Sequence, residues 1–243
     1  MVAPPFGDTG GPEVVTQNLT NAFLQLGIDV TLFAPADWNT AAKHVVTLKK
    51  SIWNMENVKE LSLAEFRALK IASQEKVLEF QKDFDIIHLH SQRYAAGVAA
   101  KAVIPCVLSF HNRFLPEVFD EAVKVNLSTV ALSESQRGGM RTSAMIYNGL
   151  PVENIKFSLE KGEYLMFVGR LTDQKGIDIA IQIAIKAKKK LLIFGRIGNT
   201  QERKDFFAKE IEPFLSDSIV YMGETTHDQI YEYLANIVEL NIR

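Results

Sequence analysis

Strand-length apolar runs alternate with helix-periodic segments along almost the whole chain, and this alternation restricts the fold more than any other feature. Asp29 to Phe33, Asp85 to His90, Ile104 to Phe110, Thr129 to Leu132 and Met145 to Tyr147 read as strands. Between them, Val15, Leu19, Ala22, Phe23 and Leu26 recur at helical spacing until Gly27. Ser62-Leu63-Ala64-Glu65 fits a capping box and opens a helix expected to run to about Gln81. Tyr94 to Ala102 is a small-residue helix, and Ser133 with Gln136 spells a second capping box. Later strands at Tyr164 to Val168, Leu191 to Phe194 and Ile219 to Met222 alternate with helices at Ile177 to Ala187 and about Gln201 to Phe214. A last helix is capped by Thr226, with Gln229 at its third position. Such alternation predicts parallel sheets with helices on both faces. The polar stretch Pro151 to Gly162 breaks the pattern. We therefore expect an α/β protein of two doubly wound, Rossmann-like domains, residues 1–150 and 151–243, the second with three strands and three helices.

Composition narrows the partners. Of 243 residues, 27 are basic and 29 acidic, a balance that argues against nucleic acid. No apolar run approaches membrane-spanning length, and the first residues lack the charged leader and apolar core of a signal peptide. The single cysteine, Cys106, lies in an apolar run and reads as a buried thiol; a reducing cytoplasm fits it. G-x-S-x-G, H-E-x-x-H and C-x-x-C are all missing. Asp83-Phe84-Asp85 spells D-x-D, but it precedes a strand instead of following one, so its carboxylates fall at the wrong sheet edge to hold a metal.

The chemistry concentrates where strands end. After the strand Tyr164 to Val168 come Gly169, Arg170, four intervening residues, Lys175 and Gly176, and then a helix. In an open parallel sheet, ligands bind at the carboxyl ends of the strands, and a helix N-terminus favours anions. Arg forks onto phosphate oxygens and Lys supplies a compact charge, so the pair suits a diphosphate; the alternative is a solvated loop with two stray charges. Gly10 and Gly11, before the first helix, let backbone N–H groups approach a ligand, or form a plain turn. Gly195, with Arg196 and Gly198, sits in the equivalent loop of the next strand. His111 follows the strand Ile104 to Phe110, either at a ligand or as an ordinary loop histidine. His88 and His90 share one strand face and read as a hydrogen-bonding wall; a metal pair would need a third ligand that the spacing does not supply.

The succession G-G-P-E-V-V, D-I-I-H-L-H, S-F-H, V-A-L-S-E-S-Q, I-Y-N-G-L-P, F-V-G-R-L-T-D-Q-K-G and V-Y-M-G-E closely resembles the glycosyltransferases of the GT-B fold. Within them it is similar to the large, mostly retaining family that includes glycogen and sucrose synthases. The likeness runs from Met1 to about Ala235. It implies transfer of a sugar from a UDP-, GDP- or ADP-sugar to an acceptor, with no metal and no cofactor besides that co-substrate. By position, Gly10, Gly11, Gly169 and Gly195 would line the donor, Arg170 and Lys175 would neutralise its diphosphate, and His111 would lie beside the transferred sugar. Asn148-Gly149 matches the segment before the interdomain hinge. Acceptor contacts would come from variable loops, here Asp37 to Leu61 and Asn112 to Val125, which carry no recognisable code.

The resemblance also implies a further strand and a Glu-x7-Glu segment that holds donor sugar and ribose. Glu232 and Glu239 fall on or just after a helix, and the tail Ile237 to Arg243 does not resemble that strand. The expectation is a chain truncated at both ends, its second domain incomplete and prone to self-association or to a partner chain, and transferring sugar poorly by itself. A non-catalytic nucleotide- or partner-binding protein of the same ancestry is the competing reading. A GT-B-type sugar epimerase is the third, and it would need cleft carboxylates that the sequence does not place.

Overall fold

The computed structural model describes residues 11–241 except 59, 113–114, 156–157 and 159–161. The chain divides into two compact units, Met1–Leu150 and Pro151–Arg243. In the first, α1 (Gly11–Gln25) carries Pro12 in its opening turn, where a backbone N–H has no helical partner to lose. β1 (Thr31–Ala34) and β2 (Lys43–Val46) pair in parallel. α2 (Leu63–Glu75) starts on the capping box: the Ser62 hydroxyl accepts from the Glu65 N–H, and the Glu65 carboxylate accepts from the Ser62 N–H at 2.8 Å. The helix does not continue to Gln81. It gives way after Glu75 to two 3-10 turns, Lys76–Glu79 and Gln81–Asp83, as Val77 is drawn into the core.

β3 (Ile87–Leu89), β4 (Cys106–Ser109), β5 (Ser128–Ala131) and β6 (Ala144–Met145) then form a four-stranded parallel sheet in sequence order. The crossovers are α3 (Gln92–Ala99), α4 (Pro116–Lys124) and the short α5 (Glu134–Arg137). Leu89, Val98, Leu108, Phe110 and Ala122 build the core between helices and sheet.

The second unit contains β7 (Tyr164–Val168), α6 (Ile177–Ala187), β8 (Lys190–Phe194), α7 (Gln201–Glu210), β9 (Ile219–Gly223) and α8 (His227–Leu234). A fourth strand follows, β10 (Ile237–Asn241), which corrects the expectation of three. It pairs in parallel with β7, so the sheet runs β10-β7-β8-β9. Glu239 therefore lies on a strand and not in the wake of a helix. Alternate residues of the central strands serve opposite faces, as a pleat requires. Phe167, Leu191 and Ile193 pack under α6 through Ile177, Ile181 and Ala184, with Phe206 and Phe207 of α7 alongside. Met166, Leu192 and Phe194 pack with Ile230, Tyr233 and Leu234 of α8 and with Ile237. Both faces are covered, which is the doubly wound parallel architecture.

Candidate functional site

Strand order in the second unit reverses beside β7: successive strands run outward through β8 and β9, and β10 returns to the other flank. Such a switch point leaves a crevice at the carboxyl ends of the strands. Gly169 and Arg170 leave β7 at that edge. Leu171 and Thr172 turn inward and are buried, a 3-10 turn spans Asp173–Lys175, and Gly176 adopts φ +69° to turn the chain into α6. Arg170 is exposed and Lys175 half-buried. Among the described residues no carboxylate pairs with either cation, and no side chain caps the α6 N-terminus. The Thr172 hydroxyl and one Asp178 carboxylate oxygen are buried without hydrogen-bond partners. Thr172 has no signal in the sequence, since its burial follows from the way the loop folds.

The neighbouring loop braces this one. Gly169 N–H donates to Phe194 O at 3.0 Å, Leu171 N–H to Arg196 O at 3.1 Å and Gly195 N–H to Gly223 O at 2.9 Å. The Tyr221 hydroxyl donates to Gly195 O at 2.9 Å. A β-carbon on residue 195 would stand 1.9 Å from the Gly169 carbonyl oxygen, so that position admits only glycine. Arg196, by contrast, has a carboxylate beside it, that of Glu224 at 3.8 Å.

The first unit brings three histidines together where β3 and β4 end. His88 Nε2 lies 2.9 Å from Ser109 Oγ, and His90 Nδ1 lies 2.8 Å from His111 Nε2. The His88 and His90 rings are 4.2 Å apart; those of His90 and His111 are nearly parallel at 5.1 Å. The loop bearing His111 is fastened on both sides. Gln136 Nε2 donates to Phe110 O at 2.9 Å and to Asn112 O at 3.0 Å, while Gln92 Oε1 accepts from Asn112 N–H at 3.3 Å. This alters the second expected capping box. The Ser133 hydroxyl does accept from the Gln136 N–H, but Gln136 Oε1 reaches Leu132 N–H, because its amide is committed to the carbonyls of the His111 loop.

Burial makes a charged imidazole costly here, so all three histidines titrate below the ordinary value of 6.5. His111 falls to about 4, through burial first and His88 second; His90 is pushed well down by burial and by both neighbours. Folded-state values below the unfolded one mean that protonation favours unfolding. The stabilising term is present above about pH 6.5 and is lost as pH falls toward about 4. The urea midpoint is expected to drop between about pH 7 and pH 5, and less so in His111→Asn. Equal slopes for the two proteins would contradict this.

The remaining expected site residues are dispersed. Gly10 lies outside the described residues. Gly11 opens α1, and nothing stands within 4 Å of the position a β-carbon would take there. The backbone N–H, not the missing side chain, is what Gly11 could offer a ligand. Asn148 and Gly149 are exposed beyond β6. No group of three or more histidine, cysteine or acidic side chains among the described residues is arranged to hold a metal, and no described helix is long and apolar enough to cross a membrane.

The sequence profile of Glycosyltransferase Family 4 matches residues 9–148. No curated protein matches the chain in sequence. Among solved structures, AviGT4, a glycosyltransferase involved in avilamycin A biosynthesis, superposes with a TM-score of 0.65 and 19% identity, covering 99% of this chain and 64% of its own. MurG of Acinetobacter baumannii gives 0.51 and 13% over 96% of this chain and 70% of its own. TarM gives 0.50 and 17% over 75% and 41%. At these identities the likeness is one of fold, the GT-B fold. The chain spans less than two thirds of the AviGT4 and TarM chains.

Proposed function

The chain belongs to glycosyltransferase family 4, and from that premise we propose that it transfers a sugar from a nucleoside-diphosphate sugar to an acceptor hydroxyl, with Arg170 and Lys175 neutralising the diphosphate. The observation that carries this reading is a pair of cations, unpaired among the described residues, beside the strand-order reversal of the second unit. Negative charge grows on the leaving diphosphate as the glycosidic bond breaks. Fixed cations aimed at that charge stabilise the transition state more than the ground state. The Arg170 guanidinium can engage two oxygens at once and Lys175 one, and the α6 N-terminus, which no described side chain caps, follows directly in the chain. The buried, unpartnered Thr172 hydroxyl adds a polar group that a bound anion could satisfy.

In this reading the cations take the part that a divalent metal plays in other transferases, so the reaction needs none. Retention of anomeric configuration is carried over from the family by analogy. The family resemblance assigns His111, neutral at physiological pH, to the transferred sugar. Gly169 and Gly195, whose N–H groups are taken by Phe194 O and Gly223 O, would serve the diphosphate by carrying no side chain. Gly10, Gly11, Asn148 and Gly149 are proposed as donor contacts on the family resemblance alone.

Calorimetric titration with UDP, GDP, ADP and their glucose conjugates tests the reading. Micromolar binding of one nucleotide, weakening as salt is raised, is the expected result. Failure of all three to bind at millimolar concentration would remove the basis for a diphosphate site.

A further inference from the structure

His90 has no role in the reading above, yet it makes the one side-chain hydrogen bond that His111 shows among the described residues. We propose that His90 is a positioning residue for His111: it holds the His111 ring in one tautomer and one orientation, leaving Nδ1 as the nitrogen that faces a ligand. The proposal rests on the assignment of His111 to the sugar.

Three observations carry it. The 2.8 Å contact joins His90 Nδ1 to His111 Nε2, so that His111 nitrogen is occupied. A neutral imidazole has one N–H and one bare nitrogen; within this bond one ring must donate and the other accept, which couples the two tautomers. The rings lie 5.1 Å apart and within 20° of parallel, which with the 2.8 Å nitrogen contact sets them edge to edge in nearly one plane, the alignment a ring-to-ring hydrogen bond needs, so rotation of His111 would break it. The peptide groups on either side of His111 are fixed independently by Gln136 and Gln92, which leaves the ring torsion and the proton position as the freedoms still to be set. His90 sets both. His88, hydrogen-bonded to Ser109 and 4.2 Å from the His90 ring, backs His90 in turn.

The test is nitrogen NMR of the full chain labelled with 15N-histidine at neutral pH. The chain has five histidines, so single variants suffice to assign His111. In the wild type, His111 should show one protonated and one bare ring nitrogen with little averaging. In His90→Phe, which keeps an aromatic ring and lacks the bond, and in His90→Ala, the two shifts should move toward the averaged mixture of free imidazole. With the nucleotide sugar picked out by titration, kcat should fall roughly tenfold or more in His90→Phe, as for other partners that orient a functional histidine, with nucleotide affinity unchanged. Unaltered His111 shifts in both variants would overturn the proposal. Unaltered turnover in His111→Ala would instead overturn the assignment of His111 to the sugar, so the two failures are distinguishable.

Discussion

Arg170→Ala is expected to abolish most turnover and leave the fold untouched. The side chain is exposed and pairs with no carboxylate among the described residues, so its removal should change stability by no more than about 0.5 kcal/mol. In the proposed mechanism its loss takes a forked donor from a leaving group that gains charge as it departs. Deleting one such donor typically lowers kcat by roughly 10²–10³-fold. Nucleotide affinity should fall too, by about 10- to 100-fold, the range for a charge-assisted hydrogen bond. Arg170→Lys should recover part of the affinity and little of the rate, because an ammonium restores charge but not the fork. The readouts are thermal melting, calorimetry and turnover of whichever nucleotide sugar binds. Wild-type affinity and rate in Arg170→Ala would remove this residue from the mechanism.

The second large effect falls on a residue with no side chain. Gly195→Ala places a methyl 1.9 Å from the Gly169 carbonyl oxygen, 3.0 Å from its carbon and 3.1 Å from Leu171 Cδ2. Backbone cannot swing aside as a flexible side chain can. Gly195 is also held by its N–H to Gly223 and by its carbonyl from Tyr221. Relief must come from displacing the Gly169–Leu171 segment. Overpacking of this kind costs about 3 kcal/mol, which for a unit of this size corresponds to a fall of roughly 10–20 °C in Tm. Because Arg170 rides on the displaced segment, nucleotide binding should weaken even where the unit remains folded. Gly97→Ala, on the exposed side of α3 with nothing within 4 Å of the new methyl, is the matched control and should melt no lower than the wild type. A Gly195→Ala melt within about 2 °C of wild type would contradict the crowding argument.

These two residues also show where sequence reading succeeds and where it stops. Arg170 and Lys175 stand out because a strand, a glycine and a helix in succession place a loop at a known sheet edge, and that inference is entirely local. The need for glycine at position 195 is hidden, because the obstructing carbonyl belongs to a loop on the adjacent strand. Gln136 misleads for the same reason: its spacing from Ser133 spells a box, but the amide answers to carbonyls at Phe110 and Asn112, brought close only by the pairing of β4 with β5. β10 escapes a local reading because Ile237 to Asn241 is a five-residue segment whose strand character comes from Tyr164 to Phe167, far earlier in the chain. With β10 goes the strand-order reversal, the strongest topological reason for placing a ligand beside Arg170. The histidine pair is legible as two residues on one face; its extension to His111 depends on registry between β3 and β4.

The position of β10 bears on how the protein is made. β7 is the first of these four strands to leave the ribosome and β10 the last, yet they are neighbours in the finished sheet. Met166, Leu192 and Phe194 emerge early, whereas Tyr233, Leu234 and Ile237, which cover them, arrive well after. For that interval a nascent chain displays an apolar sheet face and an unpaired edge, the surface that chaperones capture and that aggregates grow on. Closure across so long a stretch also makes folding slow relative to a unit built from adjacent pairs. Translation pauses or early release upstream of Ile237 should therefore be read out as chaperone dependence of this half of the protein, while the first unit, whose four-stranded sheet is assembled in sequence order, can fold as it appears.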